Sequence, residues 1–68
     1  MNIYLLSEDG ETFCIKAATM CEAISVCEAS YLETRRDEEG DKYNEEYERK
    51  FYYEQILLSC ALVGELKN

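Results

Sequence analysis

"FYYEQILLSCALVGEL", residues 51–66, decides the fold, because the same residues satisfy two different rules. As the continuation of a helix that begins near Asn44, the stretch offers strong helix formers in Leu57, Leu58, Ala61 and Leu62. Gly64 then falls where a left-handed C-terminal cap belongs, and Lys67 lies near the negative end of the helix dipole. As a strand, the aromatic cluster together with Ile56 and Val63 favours extended backbone, and a third antiparallel strand over residues 51–63 would enlarge a sheet otherwise limited to two. Length favours the helix. The expected fold is therefore α+β, an N-terminal β-hairpin packed on two helices (ββαα), with ββαβ as the alternative.

Upstream the signals are simpler. "NIYLLS" and "TFCIKA" are rich in aromatic and β-branched residues, and "SEDGE" between them supplies Asp9-Gly10, a pair suited to the positive φ angles of a tight turn. On the second strand Phe13 and Ile15 share one face while Thr12, Cys14 and Lys16 share the other, the alternation of a half-buried antiparallel pair. A helix is announced at "TMCE", where the Thr19 hydroxyl can accept the third backbone N–H and Glu22 can accept the N–H of Thr19 in return. Met20, Ala23, Ile24, Cys27 and Tyr31, with Ala29 and Leu32 beside them, form an apolar stripe, while Glu22, Ser25, Glu28 and Glu33 face away. The helix is expected to run from residue 20 to about residue 37. "RRDEEGDK" then interrupts the apolar pattern, and Gly40 is the place for the chain to reverse.

Sixty-eight residues make one domain, residues 1–68, near the lower limit of what folds without disulfides, a metal or a partner. A hydrophobic fraction of 47% with 12% aromatic residues is enough for a core. Fifteen acidic and seven basic residues give a net charge of −8, which argues against direct nucleic-acid binding and against an anionic membrane, and in favour of a basic protein partner. No leader-like segment and no apolar run of about 20 residues is present, so a cytoplasmic protein is expected. Cys14, Cys21, Cys27 and Cys60 have irregular spacings and no histidine to accompany them, which favours free thiols over disulfides or zinc. No cofactor is expected.

The chain also lacks the usual base for nucleophilic catalysis, since it has no histidine, and its carboxylates come in solvated runs rather than in apolar surroundings that would shift a pKa. Three dispersed glycines make no phosphate loop. A binding protein with no catalytic or metal-ligating residues is the reading that remains. Its contact patch is expected at Glu38, Glu39, Asp41, Tyr43, Glu45, Glu46, Glu48 and Tyr52. Carboxylates spaced along a helix can stand before lysine and arginine rows in place of phosphates, and tyrosines supply rigid contact area with a polar tip. Tyr47 and Phe51 are expected in the core stripe, whereas Tyr52 and Tyr53, with Leu57 and Leu58, offer a surface for a homodimer.

"FCIKAATMCEAISVCEASY", residues 13–31, resembles the strand, threonine exit and Glu-Ala helix opening of small phage-encoded inhibitors, those of bacterial RNA polymerase and, more loosely, compact anti-CRISPR proteins and HicB-type antitoxins. The resemblance spans about a quarter of the chain and brings no site residues with it. It implies a non-enzymatic mobile-element protein, acting in a bacterial host cell, that occupies a basic surface of a nucleic-acid-handling complex. An antitoxin-like or regulatory subunit, or an inhibitor of host RNA polymerase, is the alternative it implies.

Overall fold

The structure, a computed structural model, describes residues 1–66. In chain order it contains β1 (Asn2–Glu8), β2 (Glu11–Ala17), α1 (Met20–Glu39), a 3₁₀ turn (Gly40–Lys42), α2 (Glu45–Phe51), a π-helical turn (Tyr52–Ile56) and β3 (Leu57–Glu65). The three strands form one antiparallel sheet in the order β2-β1-β3, with the helices on one face. The fold is α+β, and both readings of residues 51–66 hold in turn: the chain is helical to Ile56 and extended from Leu57. Gly64 is accordingly not a helix cap but a strand residue opposite Ile3, and Lys67 lies outside the described residues.

The hairpin closes as its sequence dictates. Glu8 pairs with Glu11 across Asp9-Gly10, and Gly10 alone takes the positive φ, at 85°, that a side chain would resist. Phe13, Ile15 and Ala17 turn inward while Thr12, Cys14 and Lys16 are exposed. Helix α1 begins at the Thr19 cap, whose hydroxyl accepts the Glu22 N–H at 3.1 Å, and runs two residues beyond the expected end. The reciprocal bond, from the Thr19 N–H to the Glu22 carboxylate, is not made among the described residues. Gly40 ends the helix at φ 58°, with its N–H returned to the Arg36 carbonyl.

Two small groups of buried side chains hold sheet and helices together. Tyr4, Ala17 and Ala23 form one, near the hairpin's open end; Leu6, Cys27 and Tyr52 form the other, with Phe13, Ile24, Tyr31, Ile56 and Leu57 around it. Cys14, Cys21, Cys27 and Cys60 are free thiols, and burial followed by the nearby Glu8 charge pushes the Cys27 thiol above its ordinary pKa, so it stays protonated.

Strand β3 departs from simple alternation. Its register against β1 slips twice, between Ile3 and Tyr4 and between Ser7 and Glu8, leaving Val63 and Leu58 as the extra residues of two bulges. Each bulge shifts the phase, so that Leu57 and Cys60, three apart, both lie on the helix-facing side opposite Glu8 and Leu6. The amide of Asp9 donates to the carbonyl of Ile56 at 2.9 Å, which ties the hairpin turn to the point where helix becomes strand.

Candidate protein-binding surface

Helix α2 is positioned by the residue that caps it, Asn44. The Asn44 side chain accepts the Tyr47 N–H at 3.0 Å and its carbonyl accepts the Glu48 N–H at 2.9 Å, so the helix starts sharply behind the Gly40 turn. Glu45, Glu46 and Glu48 occupy its first turn and Arg49 and Lys50 its last, both favourable to the helix dipole.

The face it turns inward differs from the expectation. Tyr47, expected in the core stripe, is 61% exposed and stacks on Phe51 with ring centroids 6.2 Å apart. Glu48 and Tyr52, expected outward as contact residues, are instead interior, at 5% and 0% exposure. The physical reason is that both polar groups have partners inside. The Tyr52 ring packs against Tyr31 at 5.1 Å between centroids, and its hydroxyl donates to the Glu8 carboxylate. Burial, then the bond to Glu8, raises the Tyr52 hydroxyl far above the ordinary tyrosine range. Glu48 accepts from Arg35 Nε, with its two carboxylate oxygens at 3.1 and 3.4 Å. A carboxylate this buried without its guanidinium would be strongly destabilising.

Arg35 is the residue that sequence reasoning missed. Besides Glu48 it binds Glu38 at 2.7 Å and Glu39, so one guanidinium gathers three carboxylates from α1 and α2. The hydrogen bond to Glu48, outweighing partial desolvation, holds its pKa above even the usual arginine value. Two further ion pairs join the same helices: Arg49 reaches Glu28 at 3.0 Å and Arg36 approaches Glu45 at 4.0 Å; Arg49 also pairs with Glu45 within α2 at 3.7 Å, and Arg36 lies over the Tyr43 ring at 5.4 Å. Spacing could have suggested Arg35 with Glu38 and Glu39, which are three and four residues apart; it could not suggest Glu48, which comes from another helix.

Of the eight expected contact residues, six therefore remain on or near the surface at one end of the molecule. Asp41 and Glu46 are exposed and make no ion pair among the described residues, as is also true of Glu33 and Asp37 beside them. Glu38, Glu39 and Glu45 are exposed or half-exposed, with their charge shared with arginines, and Tyr43 is half-buried under Arg36. Between α1 and α2 opens a groove of about 460 Å³, lined by Tyr31, Thr34, Arg35, Glu38, Tyr47 and Phe51 among others. The Arg35–Glu48 pair lines this groove, whereas Glu28, Arg36, Glu45 and Arg49 line a separate depression between the same helices. The arrangement presents fixed carboxylates with aromatic surface alongside.

Comparison with family models, with curated proteins and with solved structures finds no significant match to this chain. Among the described residues no helix is long and apolar enough to cross a membrane.

Proposed function

We propose that the protein is a non-enzymatic inhibitor that docks its acidic helical end on a basic surface of a nucleic-acid-handling complex, as mobile-element anti-defence proteins of the anti-CRISPR type do. The observation that carries this reading is the group of carboxylates around Gly40. Glu33, Asp37, Asp41 and Glu46 are exposed without ion-pair partners among the described residues, on helices braced by the Arg35, Arg36 and Arg49 pairs. Between positions 33 and 48 the chain carries eight acidic side chains against three basic ones. Such a concentration steers association with a cationic partner, and bracing lowers the entropy lost when the carboxylates are fixed against it. Tyr47, exposed in the groove that Glu38 also lines, adds an apolar contact of the kind that anchors protein interfaces.

The experiment is recovery of bound proteins from bacterial lysate at low and high salt, with the wild type and with an Asp41→Lys/Glu46→Lys variant side by side. The reading predicts a basic nucleic-acid-handling partner that the wild type retains at low salt, and the variant and high salt both release. A partner retained equally by wild type and variant, or no basic partner at all, overturns it.

A further inference from the structure

The acidic end leaves unexplained the opposite property of strand β3. It forms an edge of the sheet, since the order β2-β1-β3 leaves its outer side without a neighbour among the described residues. An unpaired edge presents a row of N–H and C=O groups that another strand can join, and protein chains ordinarily protect such edges with charge, proline or brevity. The other edge, β2, is protected in this way by exposed Glu11 and Lys16. Strand β3 is longer, at nine residues, and has neither proline nor any charged residue from Leu57 to Gly64, in a chain that is 32% charged. Its side chains Leu58, Leu62 and Val63 are 67%, 52% and 57% exposed.

We infer that β3 pairs antiparallel with β3 of a second copy of this chain, making one continuous six-stranded sheet across a two-fold axis. The occupant follows from chemistry. A strand that joins this edge should itself be extended, unpaired and uncharged, and β3 meets each requirement at the same concentration as its partner. Charge adds a second argument, because two copies at −8 each repel wherever their acidic surfaces meet. The uncharged run Leu57–Gly64 has its midpoint between Cys60 and Ala61. With the axis at Ala61, Glu65 falls opposite Leu57 of the partner copy, and with the axis at Cys60 it lies beyond the end of the paired run, so it is never opposite another Glu65. The seven residues of α2 also put about 10 Å between the acidic turn and the start of β3, more than the ~8 Å over which salt screens charge at physiological strength. Both bulge residues flank the regular segment Ser59–Leu62, so the bulges leave a short straight run at the axis. Such pairing would also compensate for a core that 68 residues can only partly enclose.

The test uses the full chain in two measurements. Light scattering after size exclusion, over a range of concentrations into the millimolar, reads the mass; hydrogen exchange at the same concentrations reads the backbone amides of β3. The wild type is expected at twice 7.9 kDa, with protection along Ser59–Leu62 rising with concentration. A Leu58→Lys/Val63→Lys variant, checked for a native circular dichroism spectrum, is expected to dissociate at least about tenfold more readily. A monomer at every concentration overturns the proposal, as does a dimer whose β3 amides exchange independently of concentration, or a ladder of higher oligomers in place of a closed dimer. Should the lysine variant fail to fold, the wild-type exchange pattern decides alone.

Discussion

The helical end around Gly40 and the outer edge of β3 manage their surfaces in opposite ways. At the helical end charge is dense, and it is organised: Arg35 gathers three carboxylates, Arg49 joins α2 to Glu28, and Arg36 approaches Glu45. On β3 charge is absent from Leu57 to Gly64, and apolar side chains stand in solvent beside unpaired backbone. One small domain thus presents a densely charged surface and an uncharged sheet edge, with a single buried side chain where the two regions meet. That side chain is Tyr52, which sits where α2 gives way to β3, with its ring on Tyr31 of α1 and its hydroxyl on Glu8 of β1.

Tyr52→Ala would disrupt both regions at once. Removing a fully buried aromatic ring costs about 3–5 kcal/mol, a large share of the ~5–15 kcal/mol that stabilises a typical domain. Urea unfolding followed by circular dichroism should show the midpoint collapse and both surfaces lost together. Tyr52→Phe keeps the ring and leaves the Glu8 carboxylate without its donor, so the loss should be about 1–3 kcal/mol.

The second variant also changes the response to alkali. The folded state holds the Tyr52 proton more tightly than the unfolded chain, whose tyrosines titrate near pH ~10. That contribution is therefore fully present below pH ~10 and is lost as pH rises beyond it, by up to about 1.4 kcal/mol per pH unit. Tyr31 and Tyr53, both raised, act in the same direction. Stability measured between neutral and strongly alkaline pH should fall less steeply in Tyr52→Phe than in the wild type; equal slopes would contradict the buried hydroxyl.

Smaller effects separate structural charge from displayed charge. Arg35→Met deprives buried Glu48 of its partner and should lower Tm by about 10 °C or more, whereas Arg36→Met, at an exposed site, should leave it nearly unchanged. Asp41→Lys/Glu46→Lys should cost at most about 1 kcal/mol per substitution, because neither carboxylate has an ion-pair partner among the described residues and Glu46 loses only its exposed contact with the N-terminal end of the α2 dipole. Any loss of binding in that variant is then a loss of contact, not of folding.

Much of the first half of the chain was legible because each signal is local. Asp9-Gly10 sets the turn, Phe13 and Ile15 alternate with polar neighbours, and Thr19 caps a helix that turns Ala23, Ile24, Cys27 and Tyr31 of the expected stripe to the core. Met20 and Ala29 of that stripe are exposed, and Glu28, expected to face away, is largely covered by its pair with Arg49. Residues 51–66 resisted the same treatment for a definite reason. The bulges at Leu58 and Val63 put Leu57 and Cys60 on one face and Ala61 and Gly64 on the other, so a strand acquired the three-residue spacing that ordinarily marks a helix. The acidic patch was legible as composition, through Asp41, Glu45 and Glu46, but not as geometry. Glu48 and Tyr52 are residue types that pattern reading places outside, and the groups that satisfy them, Arg35 and Glu8, lie 13 and 44 residues away in sequence.

We propose the carboxylates around Gly40 as a docking surface for a cationic partner. The most direct test is salt-dependent capture from bacterial lysate by the wild type and by folded Asp41→Lys/Glu46→Lys, with the bound proteins identified by mass spectrometry. The account predicts a basic nucleic-acid-handling complex held by the wild type at low salt, released as salt rises, and absent from the variant. The same complex on both proteins, or a partner whose retention ignores salt, would contradict it.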